Sequence, residues 1–131
     1  MSHLLDVSFL LACGWSSHPQ HAAARAWLEA QSRFNLCALS ELGFLRVSLT
    51  PGFRATFADA QAALGNITSR PQARLVSVDL SVARLPVLIS HADVTDAYFV
   101  ELARAHRLKL ATLDDRLCRK AWAAGIAENP L

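Results

Sequence analysis

Short apolar runs alternate along the chain with segments whose apolar residues recur every three or four positions. The runs predict strands, and they lie at residues 3–7, 34–39, 74–79 and 108–113. The wider spacing is typical of helices that pack one face against a sheet. Segments with this spacing lie at residues 22–30, 42–49, 56–64, 96–103 and 117–124, and residues 9–13 are predicted to form an apolar helical turn.

The alternation of strands and helices predicts the fold class. Strands connected through helices favour a three-layer α/β/α architecture with a central parallel sheet of four to five strands. The run at residues 108–113 is nearly continuous in apolar character, as parallel strands covered on both faces are. The tail, residues 126–131, is expected to add an edge strand. Without linkers or repeats, residues 1–131 are expected to form a single domain.

Capping and breaking residues predict where the helices begin and end. Ser8 and Ser40 each precede an apolar helical run, and both are expected to be N-caps. Gly65 is expected to end the helix before it. Residues 80–89 are expected to be helical on both sides of Pro86.

Composition narrows the class of protein. Apolar residues make up 53% of the chain and charged residues 18%, which favours a well-covered sheet or an apolar partner surface. No run approaches the ~18 apolar residues of a membrane span, and no signal-peptide pattern begins the chain. We therefore expect a cytoplasmic protein without a membrane partner. The three cysteines form no Cys-x-x-Cys pair, which indicates reduced thiols rather than disulfides or zinc.

Acidic residues collect where the predicted strands end. Asp6 ends the first strand, and Glu41 follows the second. Asp114 and Asp115 follow the fourth, and Asp96 begins the helix before it. Because sites in open parallel sheets form at the carboxyl ends of the strands, these side chains are expected to lie at one edge of the sheet.

Each acid also has a plainer interpretation. Asp6 could cap the helix that follows it, and Glu41 could stabilise the dipole of its own helix. Asp93 and Asp96 could form a capping pair, although that motif prefers Ser or Thr with Glu or Gln. Against this, Asp96 shares a helix face with Phe99, so a carboxylate begins the stripe that packs on the sheet.

The four carboxylates of Asp6, Glu41, Asp96 and Asp114 are expected to lie close together and to require a bound cation. They cannot all ionise without a counter-charge, and Mg²⁺ prefers oxygen ligands. Such an ion can activate water and stabilise charge on a phosphoryl group, so the pattern favours metal-dependent phosphodiester hydrolysis. No Gly-rich phosphate loop or nucleophile elbow competes with this interpretation.

Four motifs, taken in order and spacing, resemble the PIN domain of VapC-type toxins. They are Leu4-Leu5-Asp6-Val7-Ser8, Ser40-Glu41-Leu42, Val94-Thr95-Asp96-Ala97-Tyr98 and Leu110-Ala111-Thr112-Leu113-Asp114. The resemblance spans nearly the whole chain, and residues 54–89 are its least distinctive part.

The resemblance implies a function as well as a fold. Such proteins are Mg²⁺- or Mn²⁺-dependent endoribonucleases, toxins of type II VapBC-like pairs, commonly homodimeric and neutralised by a small antitoxin. It implies a metal-binding quartet of Asp6, Glu41, Asp96 and Asp114. Supporting polar groups would be Ser8, Thr112, Asp93 and Asp115. Near the predicted site edge, two arginines are expected to contact RNA or the antitoxin, namely Arg46 and Arg116.

The chain departs from the family pattern in a few places. It has Asp6-Val7-Ser8 where Asp-Thr-Asn is frequent, and His106-Arg107 where a glycine is common. Leu113 stands where an aromatic residue often precedes the last aspartate. None of these changes removes a carboxylate, so an active enzyme is expected.

Two other functions remain open on the sequence alone. A catalytically inactive PIN-like module could keep the fold and only associate with an antitoxin or RNA. A phospho-receiver domain also gathers acids around Mg²⁺, with Asp79 as the candidate phosphoacceptor, but no lysine directly follows the fourth predicted strand.

Overall fold

A five-stranded parallel sheet with helices on both faces forms the protein. The computed structural model describes residues 1–131. The strands are β1 (His3–Leu5), β2 (Phe34–Leu36), β3 (Ala73–Leu75), β4 (Lys109–Ala111) and β5 (Ala127–Glu128). Their order across the sheet is β3-β2-β1-β4-β5, and every neighbouring pair is parallel. The predicted three-layer architecture is confirmed, with β1 at the centre of the sheet.

Six α-helices and three short 3₁₀ segments connect the strands. The α-helices are α1 (Val7–Gly14), α2 (His21–Ala30), α3 (Ala38–Ser48), α4 (Phe57–Thr68), α5 (Val94–Ala105) and α6 (Asp115–Cys118). The 3₁₀ segments are Val82–Arg84, His91–Asp93 and Ala121–Ala123. None of these helices combines the length and the apolar character that a membrane crossing requires.

Successive residues of β1 pack into two separate hydrophobic cores, one on each face of the sheet. Leu4 belongs to a buried cluster with Phe99 of α5, whereas Leu5 belongs to a second cluster with Phe9 of α1 and Phe44 of α3. This division follows from the strand geometry, because neighbouring side chains of a strand point to opposite faces. Burial of both faces explains the apolar residues of β1, β2 and β4, each of which also carries one polar residue.

Several predicted helix boundaries are wrong. The cap of α1 is Asp6 rather than Ser8, and α3 begins at Ala38 rather than after Ser40. Helix α4 runs through Gly65, because a glycine with free space around it can remain helical. Residues 80–89 hold only one 3₁₀ turn, since Pro86 removes a backbone donor.

A close helix contact fixes α3 against α1. A Cβ atom added at Gly43 would lie 2.2 Å from Cγ2 of Val7, so only glycine allows this approach. The contact directs Arg46, one turn further along α3, towards the carboxyl end of β1. Glycine at this position therefore contributes to the shape of the site.

Helix α5 ends in a turn that glycine usually makes. Arg107 has a φ of 58°, and its N–H bonds to the carbonyl of Arg104. The N–H of Leu108 bonds to the carbonyl of Ala103, which completes a Schellman motif. Arginine thus adopts the left-handed conformation at the position where the family commonly has glycine.

Candidate active site

Asp6 is a buried carboxylate that ends β1 and caps α1. It is only 6% exposed, and its Oδ1 accepts hydrogen bonds from the N–H of Phe9 at 2.9 Å and the hydroxyl of Ser8 at 2.7 Å. Both bonds go to Oδ1, and Oδ2 accepts no hydrogen bond. Asp6 can therefore cap α1 through Oδ1 and still offer Oδ2 to a ligand, because the two roles use different oxygens.

Ser8 and Thr112 join the ends of the two neighbouring strands β1 and β4. Their hydroxyl oxygens lie 3.4 Å apart, across 104 residues of sequence. Ser8 Oγ also accepts the N–H of Leu113 at 3.1 Å, and Thr112 Oγ1 accepts the N–H of Asp114 at 3.0 Å. Side-chain hydroxyls thus hold the chain after β4 beside Asp6.

Asp114 repeats at β4 the arrangement that Asp6 has at β1. Its Oδ1 accepts the backbone N–H groups of Arg116 at 2.9 Å and Leu117 at 3.2 Å, which caps α6. Its Oδ2 accepts no hydrogen bond. The neighbouring Asp115 is instead bonded to the side-chain amide of Asn129 at 3.1 Å. Of the two adjacent acids, Asp114 faces the site.

Asp96 completes a group of three aspartates around one cavity. It lies in the first turn of α5, and its side chain makes no hydrogen bond or ion pair. The cavity, which we call the carboxylate hollow, has a volume of about 360 Å³. Its lining is Asp6, Val7, Ser8, Leu11, Arg46, Thr95, Asp96, Phe99 and Asp114. The structure therefore brings together three predicted site acids and one predicted arginine.

Burial and, to a smaller extent, electrostatic repulsion raise the pKa of two carboxyl groups in the hollow. Burial, together with the negative charges of Asp6, Asp114 and Asp93, raises the pKa of Asp96 to about 6. Burial also raises the pKa of Asp6, although the nearby Thr112 hydroxyl and the hydrogen bond from the Phe9 N–H partly oppose the change. The hollow concentrates negative charge that a cation would relieve.

Glu41 lies outside the carboxylate hollow. It lines a cavity between α3 and α4 with Leu45 and Gln61, and a second cavity towards β3. Because α3 begins at Ala38, Ser40 is the residue that faces the sheet, and its hydroxyl donates to the carbonyl of Leu5 at 2.7 Å. Glu41 is one position further round the helix and is turned towards α4. Three of the four predicted acids thus line the carboxylate hollow, and Glu41 does not.

A smaller cavity, which we call the side hollow, lies next to the carboxylate hollow. It has a volume of about 180 Å³ and is lined by Ala92, Asp93, Asp96, Asp114, Arg116, Leu117 and Lys120. Asp93 forms an ion pair with Lys120 at 3.5 Å and makes no capping hydrogen bond to α5. Lys120 carries no signal in the sequence, because it belongs to no motif and lies in an irregular turn after α6.

Comparison with known proteins decides the family. The sequence pattern of the PIN domain matches residues 3–123. The chain belongs to the PIN domain family. The resemblance found in the sequence is thereby confirmed, and the phospho-receiver alternative is removed.

Relatives of this PIN domain carry ribonuclease names. Ribonuclease VapC38 of Mycobacterium tuberculosis is 35% identical over 118 residues, which cover 85% of this chain and 84% of that protein. Ribonuclease VapC29 of the same species is 32% identical and covers 89% of each chain. The crystal structure of Mycobacterium tuberculosis VapC20, a Sarcin-Ricin loop cleaving toxin, has a TM-score of 0.64 at 18% identity and covers 96% of each chain. VapBC2 from Rickettsia felis, bound to a promoter DNA fragment, has a TM-score of 0.65 at 13% identity and covers 98% of each chain.

The donor groups of this PIN domain suit a hard divalent cation. All the atoms in the hollow that could ligate a metal ion are oxygens, which Mg²⁺ and Mn²⁺ prefer. Oδ2 of Asp6, Oδ2 of Asp114 and both oxygens of Asp96 accept no hydrogen bond. As they stand, no three acidic, His or Cys side chains are close enough to hold one ion together. Mg²⁺ usually takes one or two carboxylates and keeps several waters, so the arrangement fits it.

Proposed function

We propose that this PIN-domain protein is a metal-dependent endoribonuclease and the toxin of a VapBC-type pair. The observation that carries the proposal is the carboxylate hollow, where Asp6, Asp96 and Asp114 each offer an oxygen without a hydrogen-bond partner. The ribonuclease names of the relatives support the reaction type. An inactive binding module has no need of three such carboxylates, so it is the second candidate.

The three aspartates would hold Mg²⁺ or Mn²⁺ in this proposal. The ion, when bound, lowers the pKa of a water and stabilises negative charge on the phosphoryl group. Ser8 and Thr112 keep Asp6 and Asp114 in position through their hydroxyls. The caps of α1 and α6 fix one oxygen of each carboxylate, which leaves the second oxygen preoriented for the ion.

Arg46 is the residue that we assign to RNA in the carboxylate hollow. It is the only cationic residue in its lining, and it makes no ion pair with an acidic residue. Its guanidinium suits a phosphate group, to which it can donate two hydrogen bonds. A cation beside the carboxylates also offsets the repulsion that an RNA phosphate would meet there.

The antitoxin is assigned to an apolar groove beside the site. This groove, of about 390 Å³, is lined by Leu39, Val78, Leu80, Val82, Leu85, Val94, Thr95 and Tyr98. Val82 is 69% exposed, and Val94 is 44% exposed, so both can be covered by an apolar partner segment. Thr95 also lines the carboxylate hollow. A segment seated in the groove would therefore reach the edge of the active site.

A homodimer is part of the same proposal. Leu42 and Leu49 of α3 and Phe57 of α4 are exposed by 65%, 46% and 53%. Such side chains support an interface between two copies formed by α3 and α4. Light scattering of the purified protein, with and without Leu42→Lys, tests this assignment. A monomeric wild type contradicts it.

Cleavage assays test the enzymatic proposal. Purified protein, freed of any partner, is expected to cleave RNA with Mg²⁺ or Mn²⁺ and to stop when EDTA is added. Asp96→Asn keeps the shape of the side chain and removes its charge, so this variant should fold and bind Mn²⁺ weakly by calorimetry. Metal-independent cleavage, or an Asp96→Asn variant as active as the wild type, contradicts the proposal.

Expression in cells tests the toxin assignment. Production of the wild type is expected to arrest growth, and co-production of the small protein encoded beside it should restore growth. The Asp96→Asn variant is the matched control, because it keeps the folded surface and loses the charge. Normal growth with an RNA-cleaving wild type would leave a nuclease that is not a toxin.

A further inference from the structure

The side hollow carries two basic side chains that the proposed chemistry does not yet use. It shares Asp96 and Asp114 with the carboxylate hollow, so these two residues stand as the wall between the cavities. Its other wall carries Arg116 and Lys120. A ligand that reached from one cavity to the other would cross the two carboxylates.

The cations of the side hollow are available to a new partner. Arg116 makes no ion pair, and its guanidinium makes no hydrogen bond, because only its backbone N–H and carbonyl are engaged. Lys120 is held 3.5 Å from Asp93, and its side chain remains 39% exposed. Partly exposed pairs of this kind contribute little stability, so Lys120 can exchange its partner at small cost.

Charge balance favours a phosphate in this cavity. An ion held by Asp6, Asp96 and Asp114 would largely offset the charge of the two shared aspartates. The other charged residues of the lining are Asp93, Arg116 and Lys120, whose charges sum to plus one. A phosphodiester carries one negative charge. The volume, about 180 Å³, is below the ~300 Å³ of typical ligand pockets, which suits a phosphate with its waters.

We propose that the side hollow binds the RNA phosphate next to the one that is cleaved. Arg116 and Lys120 contact this neighbouring phosphate, while Arg46 contacts the strand on the opposite side of Asp96 and Asp114. The RNA strand therefore crosses the carboxylates with a cation on each side. This assignment rests on the proposed ribonuclease function, and it adds Lys120 as a substrate-binding residue.

RNA-binding measurements in an inactive background test the assignment. Asp6→Asn removes a carboxylate that does not line the side hollow, so cleavage stops while this cavity stays intact. Binding of a fluorescent single-stranded RNA with Mg²⁺ is followed by anisotropy at several salt concentrations. Arg116→Ala and Lys120→Gln are each expected to weaken binding by ~3- to 10-fold and to reduce the salt slope by ~0.7.

The matched control is Arg119→Ala. Arg119 is exposed and lies next to Lys120 in sequence, yet it does not line the side hollow. Arg119→Ala removes one positive charge, as Arg116→Ala and Lys120→Gln do. Because Arg119 lies outside the side hollow, RNA binding is expected to stay unchanged. An Arg119→Ala effect as large as that of Lys120→Gln would show a diffuse charge effect and overturn the subsite.

The remaining outcomes separate the subsite from the function. If the wild type cleaves RNA and both side-hollow variants bind RNA normally, the subsite is overturned and the ribonuclease stands. If those variants lose antitoxin binding instead, the cavity takes an acidic peptide, and the RNA assignment is overturned. If the wild type neither binds nor cleaves RNA, the proposed function fails, and the subsite with it.

Discussion

The Ser8 hydroxyl donates a 2.7 Å hydrogen bond to Oδ1 of Asp6. The same oxygen of Ser8 accepts the N–H of Leu113 at 3.1 Å from the far end of the chain. One small side chain thus orients a carboxylate of the candidate site and joins the ends of β1 and β4. The serine that replaces the family's frequent asparagine keeps a donor and an acceptor in this place.

Ser8→Ala is expected to affect both stability and activity. The variant leaves the N–H of Leu113 without a partner, so the free energy of unfolding should fall by ~1–2 kcal/mol. RNA cleavage should fall by ~10-fold or more, because Asp6 loses an orienting bond. Urea denaturation and cleavage rates measure the two effects. Ser17→Ala, at an exposed serine without a hydrogen bond, is the control, and equal behaviour of the two variants would contradict the role of Ser8.

Glu41→Gln is expected to keep most of the cleavage activity. Glu41 faces α4 rather than the carboxylate hollow, so its charge has no direct path to the reacting phosphate. We expect a rate within ~3-fold of wild type, whereas Asp96→Asn should lose ~100-fold or more, as expected for a group that acts in the reaction itself. Single-turnover cleavage by folded variants measures this. A loss in Glu41→Gln as large as that in Asp96→Asn would restore the predicted quartet.

Acidification is expected to stabilise the metal-free protein through Asp96. The pKa of Asp96 is about 6 in the folded chain, whereas an unperturbed aspartate has a pKa of 3.8. Folding therefore favours the protonated form of Asp96 between these two pH values. The stabilisation is fully present below pH 3.8 and is lost as the pH rises through 6. Solvent screening at this half-buried group reduces its size to on the order of 1 kcal/mol. Urea denaturation in EDTA should show a larger free energy of unfolding at pH 5 than at pH 7 for the wild type but not for Asp96→Asn. The same pH dependence in both proteins would refute the role of Asp96.

Two helical glycines are expected to respond oppositely to alanine. A Cβ at Gly43 meets Val7 at 2.2 Å, so Gly43→Ala should cost ~1–3 kcal/mol. A Cβ at Gly65 meets nothing within 4 Å, so Gly65→Ala should add ~0.4–1 kcal/mol. Urea denaturation of both variants tests this pair. Restored stability in a Gly43→Ala, Val7→Ala double variant would identify the contact as the cause, and a stable Gly43→Ala would disprove it.

The strand-end acids could be predicted because strand position determines where they point. Asp6 and Asp114 follow apolar runs whose neighbours in a parallel sheet end at the same edge, so their proximity follows from the topology. Asp96 could be placed from its helix face, which it shares with Phe99. The choice between Asp114 and Asp115 could not be made from sequence, because it depends on the bond that Asn129 donates to Asp115.

The misplaced features depend on tertiary contacts. Ser40 resembles an N-cap, but the carbonyl of Leu5 accepts its hydroxyl hydrogen, and α3 begins earlier, at Ala38. This offset turns Glu41 away from the aspartates. Lys120 belongs to no local pattern, and only the fold brings it within reach of Asp93.

The pairing of β1 with β4 delays assembly of the candidate site until late in synthesis of the chain. Asp6 follows the first strand, whereas Thr112 and Asp114 follow the fourth, so the partners of Asp6 are synthesised only after four strands of the sheet. A chain that stops before Asp114 cannot assemble the hollow, whatever else it folds. In the proposed function, a partly synthesised chain that lacks Asp114 therefore has no complete metal site and leaves RNA uncut.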